Sequence, residues 1–180
     1  MKIAWLAAAC LGILVTHATA ADPLDFTLKA ATSDASFRLS EQGDKLVALH
    51  FLLKTECPLC LKHTHDFMAA GAKTPDIVHV FVKPDTDAEI QAWAAKFDRD
   101  ALKSTPIFRD PDAALAARLK IPGGYKFHGQ TVHYPALILL DSGGKEYFRY
   151  VGKSNSDRVS VDNFTAKAAE IQARRKSAAP

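Results

Sequence analysis

The sequence predicts an α/β domain with a mixed central sheet, mostly parallel, flanked by helices. Three observations predict it. Leu46–Leu53, Ile77–Val82 and Ala136–Leu140 are apolar runs of the kind that a strand covered on both faces requires. Helical patterns alternate with these runs, and that alternation demands crossovers between parallel strands. The chain has 180 residues, enough for one domain with one sizeable core.

Each element follows from local pattern. Asp25–Lys29 and Ser36–Leu39 alternate polar and apolar residues and read as half-buried strands joined by a turn at Ala31–Asp34. Leu46–Leu53 is a central strand with His50 inside it. A helix is predicted from Pro58 to about Ala70, then a second central strand at Ile77–Val82. Asp85-Thr86-Asp87 caps a helix running to Phe97, with Ile90, Trp93, Ala94 and Phe97 on one face. Thr105–Phe108 is a short strand, and Asp110-Pro111-Asp112 opens a helix over Ala113–Leu119. Ala136–Leu140 is the third central strand, Asp141–Gly144 a tight turn, and Glu146–Val151 an antiparallel return that makes the sheet mixed. Ser160 to about Ala173 closes the domain as a helix.

The first twenty residues differ from the rest. Lys2 precedes an uncharged apolar run, Ile3–Val15, and Ala18-Thr19-Ala20 offers small residues where a signal peptidase reads. The expectation is a signal peptide over residues 1–20 and one domain over 21–180. The run is short for a membrane span; an uncleaved N-terminal anchor is the alternative. Cys10 is no lipidation site on this reading, because apolar residues continue past it to Val15 and Ala7 stands where a lipobox has Leu. A formal charge of +3, with no basic run interleaved with aromatics, gives no reason to expect a nucleic-acid partner.

Removing the signal leaves Cys57 and Cys60 as the sole cysteines. Three residues apart, they cannot staple distant parts of a fold. Cys57 falls where a buried strand turns into a helix, and Pro58 suits the first helical position, where its missing N–H costs nothing. The helix start favours a thiolate through its unpaired N–H groups and macrodipole. Cys60 lies nearly one turn on, so the two sulfurs can close a small ring. Cys57 is expected to attack and Cys60 to resolve.

Four stretches carry a family likeness: Asp25-Phe26-Thr27-Leu28; Lys45-Leu46-Val47-Ala48-Leu49 leading into Cys57; Phe108-Arg109-Asp110-Pro111-Asp112; and Tyr134-Pro135-Ala136 through Asp141, Gly144 and Lys145 to Val151-Gly152. They resemble the thioredoxin-like redoxins, which include thiol-specific antioxidant peroxidases and exported reductases serving cytochrome c maturation. The likeness implies a thioredoxin-like fold with an N-terminal β-hairpin and an inserted βα unit. It also implies that Pro135 is a cis-proline facing the CxxC, whose backbone pairs with a bound cysteine-containing partner.

This chain departs from the family pattern in places. Glu56 stands where the exported reductases have Trp, and Phe51 lies near the place of thioredoxin's buried acid. His50 reads as a histidine satisfied within the core, and His63 and His65 as a solvated helix face. Ile121–Val132 is longer than usual before the proline and suggests a lid or specificity loop.

The expected function is that of an exported, periplasmic or secreted thiol–disulfide oxidoreductase, acting through a mixed disulfide. Its catalytic residues are Cys57, Cys60 and Pro135, with no cofactor beyond a redox-active Cys57–Cys60 disulfide and no metal. Its partners are a cysteine-containing exported protein and a thiol electron donor, with no stable membrane insertion after cleavage. One alternative is a thiol peroxidase, although the family's peroxidatic Thr is displaced to Thr55 and Arg109 is the one central arginine, read as a loop residue. The other is a Sco-like copper-handling protein using His133.

Overall fold

The computed structural model describes residues 24–54, 57–127 and 130–177. The signal segment, Glu56 and His128 lie outside the described residues. Within them, a seven-stranded sheet has the order β2-β1-β5-β4-β3-β8-β9. Its strands are β1 (Thr27–Ala30), β2 (Ser36–Arg38), β3 (Leu46–Phe51), β4 (Ile77–Lys83), β5 (Ile107–Arg109), β8 (Ala136–Leu140) and β9 (Glu146–Val151). The sheet is mixed, as expected, but only β3–β4 and β4–β5 run parallel. The N-terminal hairpin joins antiparallel through β1–β5, and β8 enters antiparallel to β3. The mostly parallel sheet expected from the element order is therefore corrected: helical crossovers fix only the two central pairings.

The remaining strands, β6 (Gly123–Phe127) and β7 (Gln130–His133), form a separate hairpin within the segment read as a loop. Gly123-Gly124 hid the first strand from a propensity reading. Gly124 is required there, because a Cβ would collide with the Tyr134 ring.

The helices are α1 (Pro58–Ala70), α2 (Asp87–Ala94), α3 (Arg99–Ser104), α4 (Ala114–Arg118) and α5 (Val161–Ser177). Helix α2 opens on a capping box in which Thr86 Oγ1 accepts from Glu89 N–H and the Glu89 carboxylate accepts from Thr86 N–H. It stops short of Phe97. Asp98 then caps the unforeseen α3 by accepting from the N–H groups of Asp100 and Ala101. Asp110 opens α4, its carboxylate accepting from Leu115 and Ala116 N–H at 2.8 and 3.0 Å. Before α4 the backbone turns left-handed at Asp112 (φ 56°) and Ala113 (φ 52°). Arg109 ends β5 rather than lying in a loop.

The strands divide the core in two. Alternation sends Leu46, Ala48, Leu52, Ile77 and Phe81 to one face, under Phe67 of α1, Trp93 of α2 and Phe164 of α5. Val47, Leu49, Phe51, Val80 and Val82 meet Leu115 and Leu119 on the other face. Cys60 belongs to the first face.

Candidate active site

Helix α1 follows β3, an interior strand of the sheet. Cys57 is its N-cap residue, with extended backbone (φ −75°, ψ 106°), and Pro58 takes the first turn. Cys57 N–H donates to Lys54 C=O at 3.1 Å, and Cys60 N–H to Cys57 C=O at 3.1 Å. Both cysteines are free thiols, Cys57 half-buried and Cys60 fully buried. The junction expected from sequence is therefore present, with the two sulfurs side by side.

The two thiols are driven apart in acidity. Cys57 is lowered to about 6, chiefly by a hydrogen bond from Cys60. Burial opposes this, while the charge of Arg158 and the N–H groups of Cys60 and Leu59 assist. Cys60 is pushed well above the usual thiol range, first by burial and then by the bond it gives Cys57. At neutral pH, Cys57 is the thiolate and Cys60 keeps the proton.

Sequence reasoning missed two cations. Arg158, from the segment between β9 and α5, places Nη2 at 3.3 Å from Cys57 Sγ and 3.1 Å from Cys60 Sγ. Its Nη1 donates to Asn155 C=O at 2.6 Å. The segment is pinned by Asp157, whose carboxylate accepts from Tyr150 O–H at 2.5 Å and Lys153 N–H at 2.9 Å. Lys83 is the second cation. It is 0% exposed at the end of β4, donates to Leu53 C=O at 2.5 Å, lies 3.4 Å from Asp85 and sits over the Trp93 ring at 4.5 Å. Its charge pulls Cys60 down against burial, and Leu53 N–H donates to Cys60 Sγ at 3.2 Å. Spacing gave no signal for Arg158, which is 101 residues beyond Cys57. The apolar run before Lys83 did carry one, because a lysine ending a doubly covered strand must find partners inside.

Pro135 is buried and immediately precedes β8, but its peptide bond is trans. The expected cis-proline is thus corrected. Trans is the intrinsically favoured form even of an X–Pro bond; Tyr134 C=O accepts from His133 Nδ1 at 2.8 Å, and Pro135 C=O accepts from Gly152 N–H at 2.8 Å. That carbonyl is already used within the fold. Gly152 must be glycine, since a Cβ would overlap Asp157 O and come within 3.0 Å of Pro135 Cγ. Pro135, Arg158 and His63 line one small cavity.

A cleft of ≈ 430 Å³ lies between α1 and the segment leading into α5, walled by Arg158, whose guanidinium touches both sulfurs. Leu59, between the cysteines, lines it and is the exposed large apolar side chain among the described residues, at 40%. His133 packs edge-on against Phe51, away from the Arg158 cleft. Among the described residues, no group of three or more His, Cys, Asp or Glu side chains is placed to hold a metal ion. His50 is satisfied in the core as expected. His63 is not on a solvated face: its Nε2 lies 2.9 Å from His50 Nδ1. His65 is exposed.

The model of the AhpC/TSA family matches residues 20–145. The chain belongs to the AhpC/TSA family. Its membership accounts for an oxidoreductase site of this form. No curated protein matches the chain. Solved structures do. The exposed lipoprotein thioredoxin Etrx1 of Streptococcus pneumoniae is 21% identical, with a TM-score of 0.63 over 82% of this chain and 99% of that one. A secreted Mycobacterium tuberculosis disulfide oxidoreductase homologous to E. coli DsbE is 18% identical, with a TM-score of 0.57 over 81% and 95%. The reduced 2-Cys peroxiredoxin of Plasmodium vivax is 18% identical, with a TM-score of 0.68 over 86% and 96%. At these identities the likeness establishes the thioredoxin-like fold. Among the described residues, no helix of this AhpC/TSA protein is long and apolar enough to cross a membrane.

Proposed function

We propose that this chain is an exported thiol–disulfide oxidoreductase of the periplasm or secreted fraction. One observation carries the reading: a half-exposed thiolate, Cys57, held between a helix N-terminus and Arg158, with a buried, still-protonated Cys60 beside it. The Cys57 thiolate attacks a disulfide of a cysteine-containing partner and expels one partner thiolate, giving a mixed disulfide. Cys60 then loses its proton and attacks Cys57 Sγ. The Cys57–Cys60 disulfide forms, the second partner thiolate leaves, and the partner has gained two electrons. A thiol donor restores the dithiol. The chemistry calls for no cofactor and no nucleic acid. Arg158 stabilises the first thiolate and Lys83 the second. Pro135 contributes as a wall beside Arg158. Leu59, at the mouth of the cleft, supplies an apolar contact for the partner.

Replacing Cys60 with Ser should leave mixed disulfides that accumulate and disappear with reductant on non-reducing gels of the exported fraction. A variant that attacks but traps nothing would sink the reading.

Arg158 also favours a second reading. A guanidinium against the attacking sulfur supplies the charge that a peroxidase needs on the departing oxygen. In that case the Cys57 thiolate takes the terminal peroxide oxygen to become a sulfenic acid, the alkoxide leaves as alcohol, and Cys60 condenses with the sulfenic acid to release water. Comparing turnover of hydrogen peroxide with that of a protein disulfide ranks the two. The oxidoreductase reading expects the disulfide to win.

A further inference from the structure

Three imidazoles form a line beneath α1 that neither cysteine step requires. His63 Nε2 lies 2.9 Å from His50 Nδ1, and His50 Nε2 lies 2.9 Å from His79 Nδ1. His79 Nε2 lies 2.9 Å from Thr74 Oγ1, which reaches Gly71 C=O at 3.4 Å. His50 is 0% exposed, while His63 and His79 at the two ends are partly exposed. Phe67, Phe81 and Phe164 enclose the middle, with ring centroids 4.7, 4.4 and 6.4 Å from that of His50. His63 opens on the cleft that Arg158 and Leu59 line. Thr74 lies past the far end of the 13-residue α1, about 20 Å along the helix from the cysteines.

We propose that His63, His50 and His79 are a proton wire that connects the dithiol cleft with the opposite end of α1. The inference rests on the oxidoreductase reading above. Burial, stronger here than any neighbouring charge, holds all three rings below their usual range, so each is neutral at pH 7 and carries one N–H. Arg158 and Asp66 act on His63 with opposite sign. The line then has two polarities. In one, His63 Nε2–H donates to His50, His50 Nε2–H to His79 and His79 Nε2–H to Thr74, whose hydroxyl donates to Gly71 C=O. In the other, the three bonds made by the histidines reverse, the Thr74 hydroxyl donates to His79 Nε2 in place of Gly71 C=O, and His63 carries its hydrogen on Nδ1. Conversion from the first to the second takes in one proton at His63 Nδ1 and gives up to solvent, at the partly exposed His79 end, the proton that Thr74 had donated to Gly71 C=O.

The redox cycle supplies that proton. A partner joined to Cys57 covers the cleft and closes the direct route to solvent. Cys60 must still lose its proton before its sulfur attacks. Arg158, 3.1 Å from Cys60 Sγ, lines one cavity with His63; across it the proton passes to His63 Nδ1, the wire inverts, and the partner thiolate is protonated by solvent after it leaves. When the donor reopens the Cys57–Cys60 disulfide, the Cys60 thiolate takes its proton back from His63 and the wire resets. A purely structural role explains the histidines less well, because three apolar side chains would fill the same space without polar groups to satisfy.

Nitrogen-15 spectra of the full chain test this directly. The three imidazoles should show one tautomer with the dithiol and the inverted tautomer with the disulfide; unchanged tautomers overturn the wire. Kinetics of His50→Phe give an independent test. Disulfide closure against a protein disulfide such as insulin should slow about a hundredfold, while closure against glutathione disulfide, which leaves the cleft open, should hold near the native rate. Equal rates for variant and native protein on both substrates also overturn it. Failure of the native protein to close Cys57–Cys60 on either substrate removes the oxidoreductase reading and the wire with it.

Discussion

The two faces of the central sheet are built from the same strands and do different work. On the face under α4 the core is apolar throughout, and the buried polar side chains bordering it, Asp110 and His133, are tied to backbone groups. On the face under α1 the alternate residues of those strands include His50, His79 and Lys83, the last acting by its charge on Cys60. A period of two lets one strand present stability on one side and chemistry on the other. The largest expected effect separates them. Leu49→Ala, in the apolar face, should cost about 2–5 kcal/mol of stability in denaturant melts. Alkylation of Cys57 in the folded fraction should keep its rate.

Lys83→Met probes the opposite face. It breaks the buried Lys83–Asp85 pair, at a cost of about 3–5 kcal/mol. It also removes the charge that lowers Cys60, so closure of the disulfide should slow even where the fold survives. Adding Asp85→Asn should recover much of the stability and none of the closure rate. Recovery of both would show that Lys83 serves packing alone.

The same contrast explains what was legible in the sequence. The apolar face is written in unbroken patterns, so Leu46–Leu53, Ile77–Val82 and Ala136–Leu140 were found with their order and burial. The cysteine pair was legible because strand end, proline and helix start are consecutive. Arg158 was not, since only the folded return of the chain after β9 carries it to the sulfurs. His63 was misread because its partner, His50, comes from β3, and a helix wheel does not show a neighbour in the sheet. The antiparallel entry of β8 depends on backbone bonds across elements, which no local pattern encodes.

The smallest expected effect on stability comes from Arg158, which binds at the surface of the reactive face. At pH 5, where Cys57 keeps its proton, Arg158→Ala should change folding stability by about 0.5 kcal/mol or less, because the pair is partly exposed. Reactivity should respond more. In the native protein, alkylation of Cys57 should titrate with a midpoint near pH 6, where burial resists the thiolate and Cys60, Arg158 and the helix N–H groups favour it. Loss of Arg158 moves that midpoint upward and lowers the rate at pH 6 about three- to tenfold. The sign carries over to folding. Because Cys57 is lowered in the folded state, its contribution to stability is complete above the unfolded thiol value of about 8.5 and is lost as pH falls through about 6. The raised Cys60 acts oppositely, above the ordinary thiol range. Melts of the reduced native protein and Cys57→Ala should therefore converge toward pH 5 and separate between pH 6 and 8, with the native protein gaining. A gap that stays constant over that window would mean that Arg158 and the helix start do not hold a thiolate, and the reactive face would lose its distinction from the other.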